Sequence, residues 1–195
     1  NFTQSADVMY IVEETLKPRK LTRTGHTSWT LTEVDFKKGP YLDTNTSSTT
    51  MTPSGTSGSV TITASSSTFV ANDVGRLITI GDGHAKITAY SSGTSVTATT
   101  TENFANTSAN ATWALGAWCT DKGYPKTVSF FEQRLVFGGS TSYPQTVWAS
   151  ESGLYEEFDA GDASAADAFI YTIAANRVNV IRWLSPARDL IVGTV

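Results

Sequence analysis

The sequence has little of the chemistry that most catalytic and metal-binding sites use. Cys119 is its one cysteine, which excludes a disulfide framework within the chain. The two histidines, His26 and His84, lie far from Cys119 in the sequence, so we interpret Cys119 as a buried structural thiol. The sequence contains no run of about 18 apolar residues and no charged-then-apolar signal segment at its start. We therefore predict neither a transmembrane helix nor a secretory leader.

Charged residues and helical patterns are also scarce. Charged side chains make up 16% of the 195 residues, against roughly 25% in an average globular protein. Runs of Ala, Leu, Glu and Lys at helical spacing are absent, whereas Ser, Thr and aromatic residues are abundant, so we predict an all-β fold. The net charge of −4 argues against the basic surface that wrapping nucleic acid requires.

The first two parts of the chain differ in composition. Residues 1–43 show the alternating pattern of short strands in "DVMYIVEE", "PRKLTRTG" and "TSWTLTEVDF". Ten of the fourteen residues from 44 to 57 are Ser or Thr, which predicts a flexible linker. Regular strands follow it, with glycine-containing turns between them, so we predict a small β-barrel or sandwich domain inserted over residues 44–112. The strands predicted in this domain span residues 59–64, 75–81, 84–90 and 95–102, and its expected core contains Phe69, Val70, Val74, Leu77, Ile78, Ile80, Ile87, Tyr90 and Phe104.

Residues 113–195 return to the alternating strand pattern of residues 1–43. The segments "KTVSFFEQ", "RLVFGG", "QTVWASES" and "YEEFDAG" predict four strands in succession, and the stretch 151–167, with six acids and no base, predicts an exposed loop. For "FIYTIAANRVNVIRWL" we expect a short helix or an extended crossing before a strand at 178–184, and the turn "SPAR" then leads into a last strand, "DLIVGTV".

An internal repeat connects these parts. "FFEQRLVFGG" and "WLSPARDLIVGT" share one plan of a large apolar pair, a polar turn, an apolar triplet and a glycine, which places Gly138 and Gly193 in equivalent positions. Likewise "VMYIVEE" resembles "TVWASES", with Tyr10 matching Trp148. A four-stranded unit of roughly 40–50 residues is typical of β-propeller blades. We therefore predict a partial propeller of up-and-down blades in which residues 1–43 end one blade and residues 113–195 hold a complete blade and the start of a third.

The polar residues that resemble site motifs have simpler explanations. A Gly-Asp-Gly turn accounts for Asp82 beside His84, and His26 lies in a turn without an acidic or cysteine neighbour. The neighbouring carboxylates Glu13–Glu14 and Glu156–Glu157 should point to opposite faces of a strand. We also considered a calcium site at Asp159, Asp162 and Asp167, whose spacing matches no EF-hand loop, and a phosphate cradle at Gly138–Gly139, which ends a strand instead of opening a helix.

The tryptophans could form a sugar-binding platform, but their strand positions favour packing in the core or between blades. These residues are Trp29, Trp113, Trp118, Trp148 and Trp183. We therefore assign no catalytic, cofactor-binding or metal-ligating residue from the sequence, and we predict that the chain is not an enzyme.

Several long phrases resemble segments of one family. "NFTQSADVMYIV", "PRKLTRTGHTSWTL", "GYPKTVSFFEQRLVFGGSTSYPQTVWASESGLYEEF" and "YTIAANRVNVIRWL" closely resemble phage and prophage tail proteins of the tail tubular protein B, or nozzle, family of short-tailed phages. The likeness includes the insertion "TFVANDVGRLITIGDGHAKITAY", which resembles a small β-barrel also described in ubiquitin-activating enzymes, a likeness of fold alone. The chain opens and closes within strand patterns, so we expect a central fragment of a longer protein.

This resemblance implies a structural role in the virion tail, with assembly in the bacterial cytoplasm. Nozzle proteins form a ring, typically of about six copies, around the channel through which DNA leaves the particle. The implied partners are copies of the chain itself and neighbouring tail proteins, with DNA passing through without sequence-specific binding. An acidic chain suits such a channel because it repels phosphate.

Two other functions remain open at this point. The tryptophans and the Ser/Thr-rich stretch are compatible with a carbohydrate-binding or receptor-binding β module of a phage or bacterial surface protein. A propeller-type glycoside hydrolase would need two carboxylates about 5–9 Å apart across a cleft.

Overall fold

The structure, a computed structural model, describes residues 1–160 and 164–195, and its backbone there is all-β. The described residues form antiparallel sheets and one short 3₁₀ helix, Ala71–Asp73, and they divide into two compact units. The outer unit consists of residues 1–36 and 122–195, and the middle unit consists of residues 37–121. The middle unit includes the predicted insertion 44–112 together with the residues that flank it on both sides.

The first sheet is a four-stranded antiparallel meander in the outer unit. Its strands are β1 (Phe2–Ser5), β2 (Val8–Glu13), β3 (Leu16–Gly25) and β4 (Ser28–Glu33), in that spatial order. Turns of two residues join consecutive strands, and Ala6 adopts a positive φ of 49° in the first turn. This part of the chain was predicted as the end of a blade, and the structure instead gives a complete four-stranded sheet.

The middle sheet has six strands. They are β5 (Met51–Pro53), β6 (Ser59–Ala64), β7 (Leu77–Ile80), β8 (Gly83–Ser92), β9 (Ser95–Glu102) and β10 (Trp113–Leu115), in the spatial order β10-β7-β8-β9-β6-β5. The sheet curls like half of a barrel around an apolar core. That core contains Met51, Val60, Ile62, Phe69, Ile78, Ile80, Ile87, Val96 and Phe104. Six of the nine core residues predicted from the sequence are buried, whereas Val70, Val74 and Tyr90 are exposed.

Two predictions about the ends of this unit are wrong. The Ser/Thr-rich stretch is not a free linker, because Met51 is fully buried and the Asn45 amide donates hydrogen bonds to the carbonyls of Thr49 and Ala111. Residues 113–115 were assigned to the blades, but they form β10 and pair with β7. The reason is that the incoming and outgoing segments of the unit pair with each other, since Tyr41 and Gly116 form an antiparallel bridge.

The third sheet is a second four-stranded meander and returns the chain to the outer unit. Its strands are β11 (Thr127–Phe131), β12 (Arg134–Gly138), β13 (Thr146–Ala149) and β14 (Phe169–Thr172). Strands β11 and β12 form a tight hairpin whose turn residues, Glu132 and Gln133, both adopt positive φ. "YEEFDAG" was predicted as the fourth strand, but its Phe158 is instead buried against Phe36 and Phe137.

A last hairpin follows β14 and consists of β15 (Ile181–Pro186) and β16 (Leu190–Thr194). Residues 169–172 are strand β14, so the helix considered at this place does not form. The strand predicted at 178–184 begins three residues later. The outer unit therefore contains two four-stranded meanders and one two-stranded hairpin.

These three pieces are stacked in chain order within the outer unit. Their first strands are neighbours, since β1 lies against β11 and β11 lies against β15. We call the face of a sheet that meets the preceding piece its leading face, and the face that meets the following piece its trailing face. On the trailing face of the first sheet, Tyr10 packs edge-on against Phe130 of the third sheet, with ring centroids 6.0 Å apart.

The junction between the third sheet and the hairpin repeats this arrangement. The trailing face of the third sheet presents Val136, Val147 and Ala149, and the hairpin covers them with Ile181, Leu184, Leu190 and Val192. Gly138 lies on the same face, where a β-carbon would stand 3.0 Å from Cγ2 of Ile181. Glycine at this position therefore lets the two sheets approach closely.

Candidate functional site

His84 is the centre of a polar network within the middle unit. It is buried at the start of β8, where its Nδ1 lies 2.7 Å from the Tyr41 hydroxyl and the two rings stack with centroids 5.5 Å apart. Its Nε2 lies 3.8 Å from Oε2 of Glu102, which also forms an ion pair with Lys38 at 2.7 Å. Asp82 is exposed in the preceding turn. The network joins the incoming segment of the unit to β8 and β9, so we retain a structural interpretation of His84.

His26 lies in the exposed turn between β3 and β4. Its Nδ1 is 3.1 Å from a guanidinium nitrogen of Arg23, and Arg23 also pairs with Asp7 at 3.2 Å. This is a solvated arrangement of surface charges, and such pairs contribute little to stability.

The neighbouring carboxylates Glu13, at the end of β2, and Glu14, in the turn after it, have separate partners. Glu13 accepts hydrogen bonds from the hydroxyl and the backbone N–H of Thr15, which hold the pKa of this exposed carboxyl below its usual value. Glu14 forms an ion pair with Lys126, at the rim of a shallow pocket that also includes Arg182. The two carboxylates do not share a proton-transfer site, because each has a partner of its own. Glu14 lies in the turn after β2, so the alternation predicted along a strand does not apply to this pair.

Glu156 belongs to a second network, which links the first sheet to the loop after β13. Its carboxylate accepts a hydrogen bond from the Tyr10 hydroxyl at 3.3 Å and forms an ion pair with Lys20. Burial of the Tyr10 phenol raises its pKa well above the ordinary value, and the negative charge of Glu156 raises it further. The sequence did not indicate this network because Tyr10 and Glu156 are 146 positions apart.

Arg134 binds backbone carbonyls at the end of the acidic loop. The sequence did not predict this role. It is buried at the start of β12, where its guanidinium donates to the carbonyls of Ser150, Ala165 and Asp167 and lies over the ring of Phe169. A basic residue at the head of an apolar strand, as in "RLVFG", was the signal for a buried cation.

The structure describes two of the three considered calcium ligands, Asp159 and Asp167. Asp167 accepts a hydrogen bond from the backbone N–H of Ser164 at 2.6 Å, which closes a local turn, and Asp162 lies outside the described residues. In residues 1–160 and 164–195, no group of three or more His, Cys, Asp or Glu side chains could hold a metal ion.

The remaining candidates divide between core and surface. Cys119 is a free thiol and is buried, as are Trp118 and Trp148. Trp29 and Trp183 are exposed by 56% and 49%, so they do not pack in the core. Gly138 and Gly139 lie at the end of β12, where they permit close approach of the β15–β16 hairpin.

Both exposed tryptophans lie on uncovered sheet faces of the outer unit. The leading face of the first sheet carries Phe2, Met9, Ile11, Leu21, Trp29 and Leu31, which the strand register places on one side. The trailing face of the β15–β16 hairpin carries Trp183 and Ile191. Exposed apolar patches of this kind mark interaction surfaces. These two faces are therefore the candidate functional surfaces of the chain.

Comparison with known proteins gives no family assignment. No protein-family model matches the sequence, and no curated protein matches it. Across residues 1–160 and 164–195, none of the helical structure has the length and apolar character needed to cross a membrane.

Proposed function

We propose that this chain is a structural component of a short-tailed phage tail, of the tail tubular protein B or nozzle family, and forms part of a ring around the DNA exit channel. In this proposal its outer unit is an arc of a β-propeller, and its middle unit is a small barrel inserted between the first two blades. The chain works through contacts between subunits and catalyses no reaction.

The observation that carries this proposal is the stacking of the outer unit. Two four-stranded up-and-down sheets and a hairpin follow one another face to face, and their first strands β1, β11 and β15 lie side by side. In a β-propeller, the corresponding strands of successive blades surround the central channel. The long phrases that resemble nozzle proteins supply the assignment to a tail.

The charge of the chain agrees with this role. The chain has eighteen acidic and fourteen basic residues. A net negative charge opposes binding of the protein to the phosphates of DNA. DNA would then pass through the ring without adhering to it.

This proposal can be tested on purified virions of the phage or prophage that encodes the sequence. We expect an antibody raised against the chain to label the distal tip of the tail in immunogold electron microscopy. We also expect mass spectrometry of gradient-purified virions to detect the chain in a fixed ratio to the portal subunits. Absence of the chain from purified virions, or label confined to the capsid, would overturn the proposal.

The exposed tryptophans favour a second candidate function. Trp29 and Trp183 present their rings to solvent on sheet faces, as platforms that stack on sugar rings do. A glycan array distinguishes the two candidates. Micromolar sugar binding that Trp29→Ala or Trp183→Ala abolishes would support a carbohydrate-binding module, whereas the nozzle proposal predicts an array without reproducible signal.

A further inference from the structure

Arg76 is a buried cation within the middle unit. It lies shortly after the 3₁₀ helix, where its side chain is 5% exposed and that of Asp73 is 1% exposed. Its Nη1 donates to Oδ1 of Asp73 at 2.7 Å, and Oδ2 of the same carboxylate accepts the backbone N–H of Val70 at 2.9 Å. Because the guanidinium and the carboxylate carry opposite charges, the buried pair is neutral as a whole.

The same guanidinium holds the segment in which the chain leaves the middle unit. Its Nε donates to the carbonyl of Gly116 at 2.5 Å. The backbone N–H of Gly116 in turn donates to the carbonyl of Leu77 at 2.7 Å, and Gly116 forms the antiparallel bridge with Tyr41. Arg76 therefore connects the loop after the 3₁₀ helix to the paired ends of the unit.

One donor group of Arg76 is not used by the protein. Its Nη2 is buried and has no hydrogen-bond acceptor in residues 1–160 and 164–195. A guanidinium holds its five N–H bonds in one rigid plane, so Nη2 cannot turn toward another acceptor while Nε and Nη1 keep theirs. A buried donor without an acceptor is costly, above all on a charged group. Nη2 therefore needs an acceptor that the chain does not supply.

Charge and size identify this acceptor. We propose that Nη2 of Arg76 binds one buried water molecule, which also donates to the oxygens of Asp73 and Gly116. An anion is disfavoured because Asp73 already neutralises the guanidinium, so that an anion would add an unpaired buried charge. A larger neutral ligand would need an opening to solvent, and all three of these residues are buried.

Water also has the hydrogen-bonding capacity that this position requires. A buried water typically makes about three hydrogen bonds to polar groups that otherwise lack partners. The Asp73 carboxylate and the Gly116 carbonyl border the guanidinium, and their oxygens have further lone pairs to accept the hydrogens of the water. Immobilising one water costs less than leaving a charged donor unpaired, so the hydrated state is the more stable one. The site lies within the middle unit and is independent of the nozzle proposal.

A high-resolution crystal structure of the unmodified chain tests the proposal directly. Growth in a bromide salt, with diffraction measured at the bromine absorption edge, distinguishes water from an anion. We expect a density peak at roughly 2.7–3.2 Å from Nη2 that has no anomalous signal. An anomalous peak would identify an anion site, and a protein acceptor at Nη2 would show that the chain satisfies this group itself. Either result, or an empty position beside Nη2, overturns the proposal.

A paired substitution gives an independent measurement in solution. Arg76→Met removes the donor, and Asp73→Asn, made in the same chain, removes the carboxylate that would otherwise be left as an unpaired buried charge. Oxygen-17 magnetic relaxation dispersion counts the waters that stay bound much longer than those of the surface. We expect this count to fall by about one in the double variant.

The exposed ion pair of Arg23 with Asp7 supplies the matched control. The double variant Arg23→Met with Asp7→Asn makes the same chemical changes at the surface and should leave the count of long-lived waters unchanged. Circular dichroism and thermal melting verify that both double variants fold. An unchanged count in a folded Arg76→Met, Asp73→Asn chain contradicts the proposal, and if that chain does not fold, the crystal structure of the unmodified chain decides.

Discussion

The indole ring of Trp183 lies over Gly193, its antiparallel partner in the β15–β16 hairpin, at a position where any β-carbon would overlap the ring. The equivalent glycine of the repeat, Gly138, is covered by Ile181 of the following hairpin. Both glycines thus accept a large side chain on the trailing face of their sheets. At Gly138 the next piece of the stack supplies that side chain, whereas at Gly193 the same hairpin does.

Gly193→Ala should therefore displace Trp183 from the face of the hairpin. We expect a loss of about 1–3 kcal/mol in the free energy of unfolding, the usual cost of overpacking. In a sample labelled with 5-fluorotryptophan, the ¹⁹F resonance of Trp183 should shift toward the solvent-exposed position. Gly25→Ala is the control, because a β-carbon there meets the Ser28 Cβ at an ordinary 3.8 Å. An unshifted Trp183 resonance in Gly193→Ala would contradict the packing.

The tight turn between β11 and β12 predicts a stabilising substitution. Gln133 has φ of 61°, a left-handed conformation that costs an L-residue roughly 1 kcal/mol and costs glycine little. Gln133→Gly should raise the free energy of unfolding by about 0.5–1 kcal/mol in urea titrations. Gln4→Gly, within β1, should lower it by a similar amount because glycine weakens a strand interior. A loss of stability in Gln133→Gly would show that contacts of the Gln133 side chain stabilise the fold by more than its positive φ destabilises it.

The sequence predicts best those strands that are long enough to show the alternation of buried and solvated side chains. The alternation of Val60, Ile62 and Ala64 predicts β6 over its observed bounds, because one face of this strand is buried and the other solvated. Short strands paired with distant residues escape such a pattern. Strand β10 has three residues, and β7, more than thirty positions earlier, determines its pairing.

The candidate surfaces were less predictable than the sheets. Alternation places Trp29 and Leu31 on one face of β4, but it does not tell which face another sheet covers. The networks around Tyr10 and His84 form between residues remote in sequence. Only the tertiary structure brings such residues together.

Tyr10 should make stability depend on pH at the alkaline end. Its pKa in the folded protein lies above its ordinary value near 10.0, because burial and Glu156 disfavour the phenolate. The associated stability is therefore fully present below about pH 10 and is lost as the pH rises toward the folded-state pKa, because the unfolded chain releases the proton first. Chemical denaturation between pH 8 and 11.5 should show a steeper decline for the unmodified chain than for Tyr10→Phe.

At neutral pH, Tyr10→Phe should cost about 1 kcal/mol, since it removes one hydrogen bond to Glu156. Tyr171→Phe, on the exposed strand β14, controls for the loss of a hydroxyl at the surface. Identical pH profiles for the unmodified chain and Tyr10→Phe would argue against a buried phenol.

The middle unit should fold on its own if it is expressed with its natural bounds. Residues 37–121 contain a complete six-stranded sheet and its core, and their two ends are held together where Tyr41 pairs with Gly116. We expect a dispersed ¹H–¹⁵N spectrum and a cooperative melting transition for this fragment.

The shorter fragment 44–112, with the bounds that composition indicates, lacks β10 and the Tyr41 contact with His84. It also loses the partly buried Trp113 and Leu115 and the backbone pairing of β7 with β10, which together should cost more than about 3 kcal/mol. Equal melting temperatures for the two fragments would show that the paired ends do not stabilise the unit, whereas an unfolded 37–121 fragment would show that it depends on the rest of the chain.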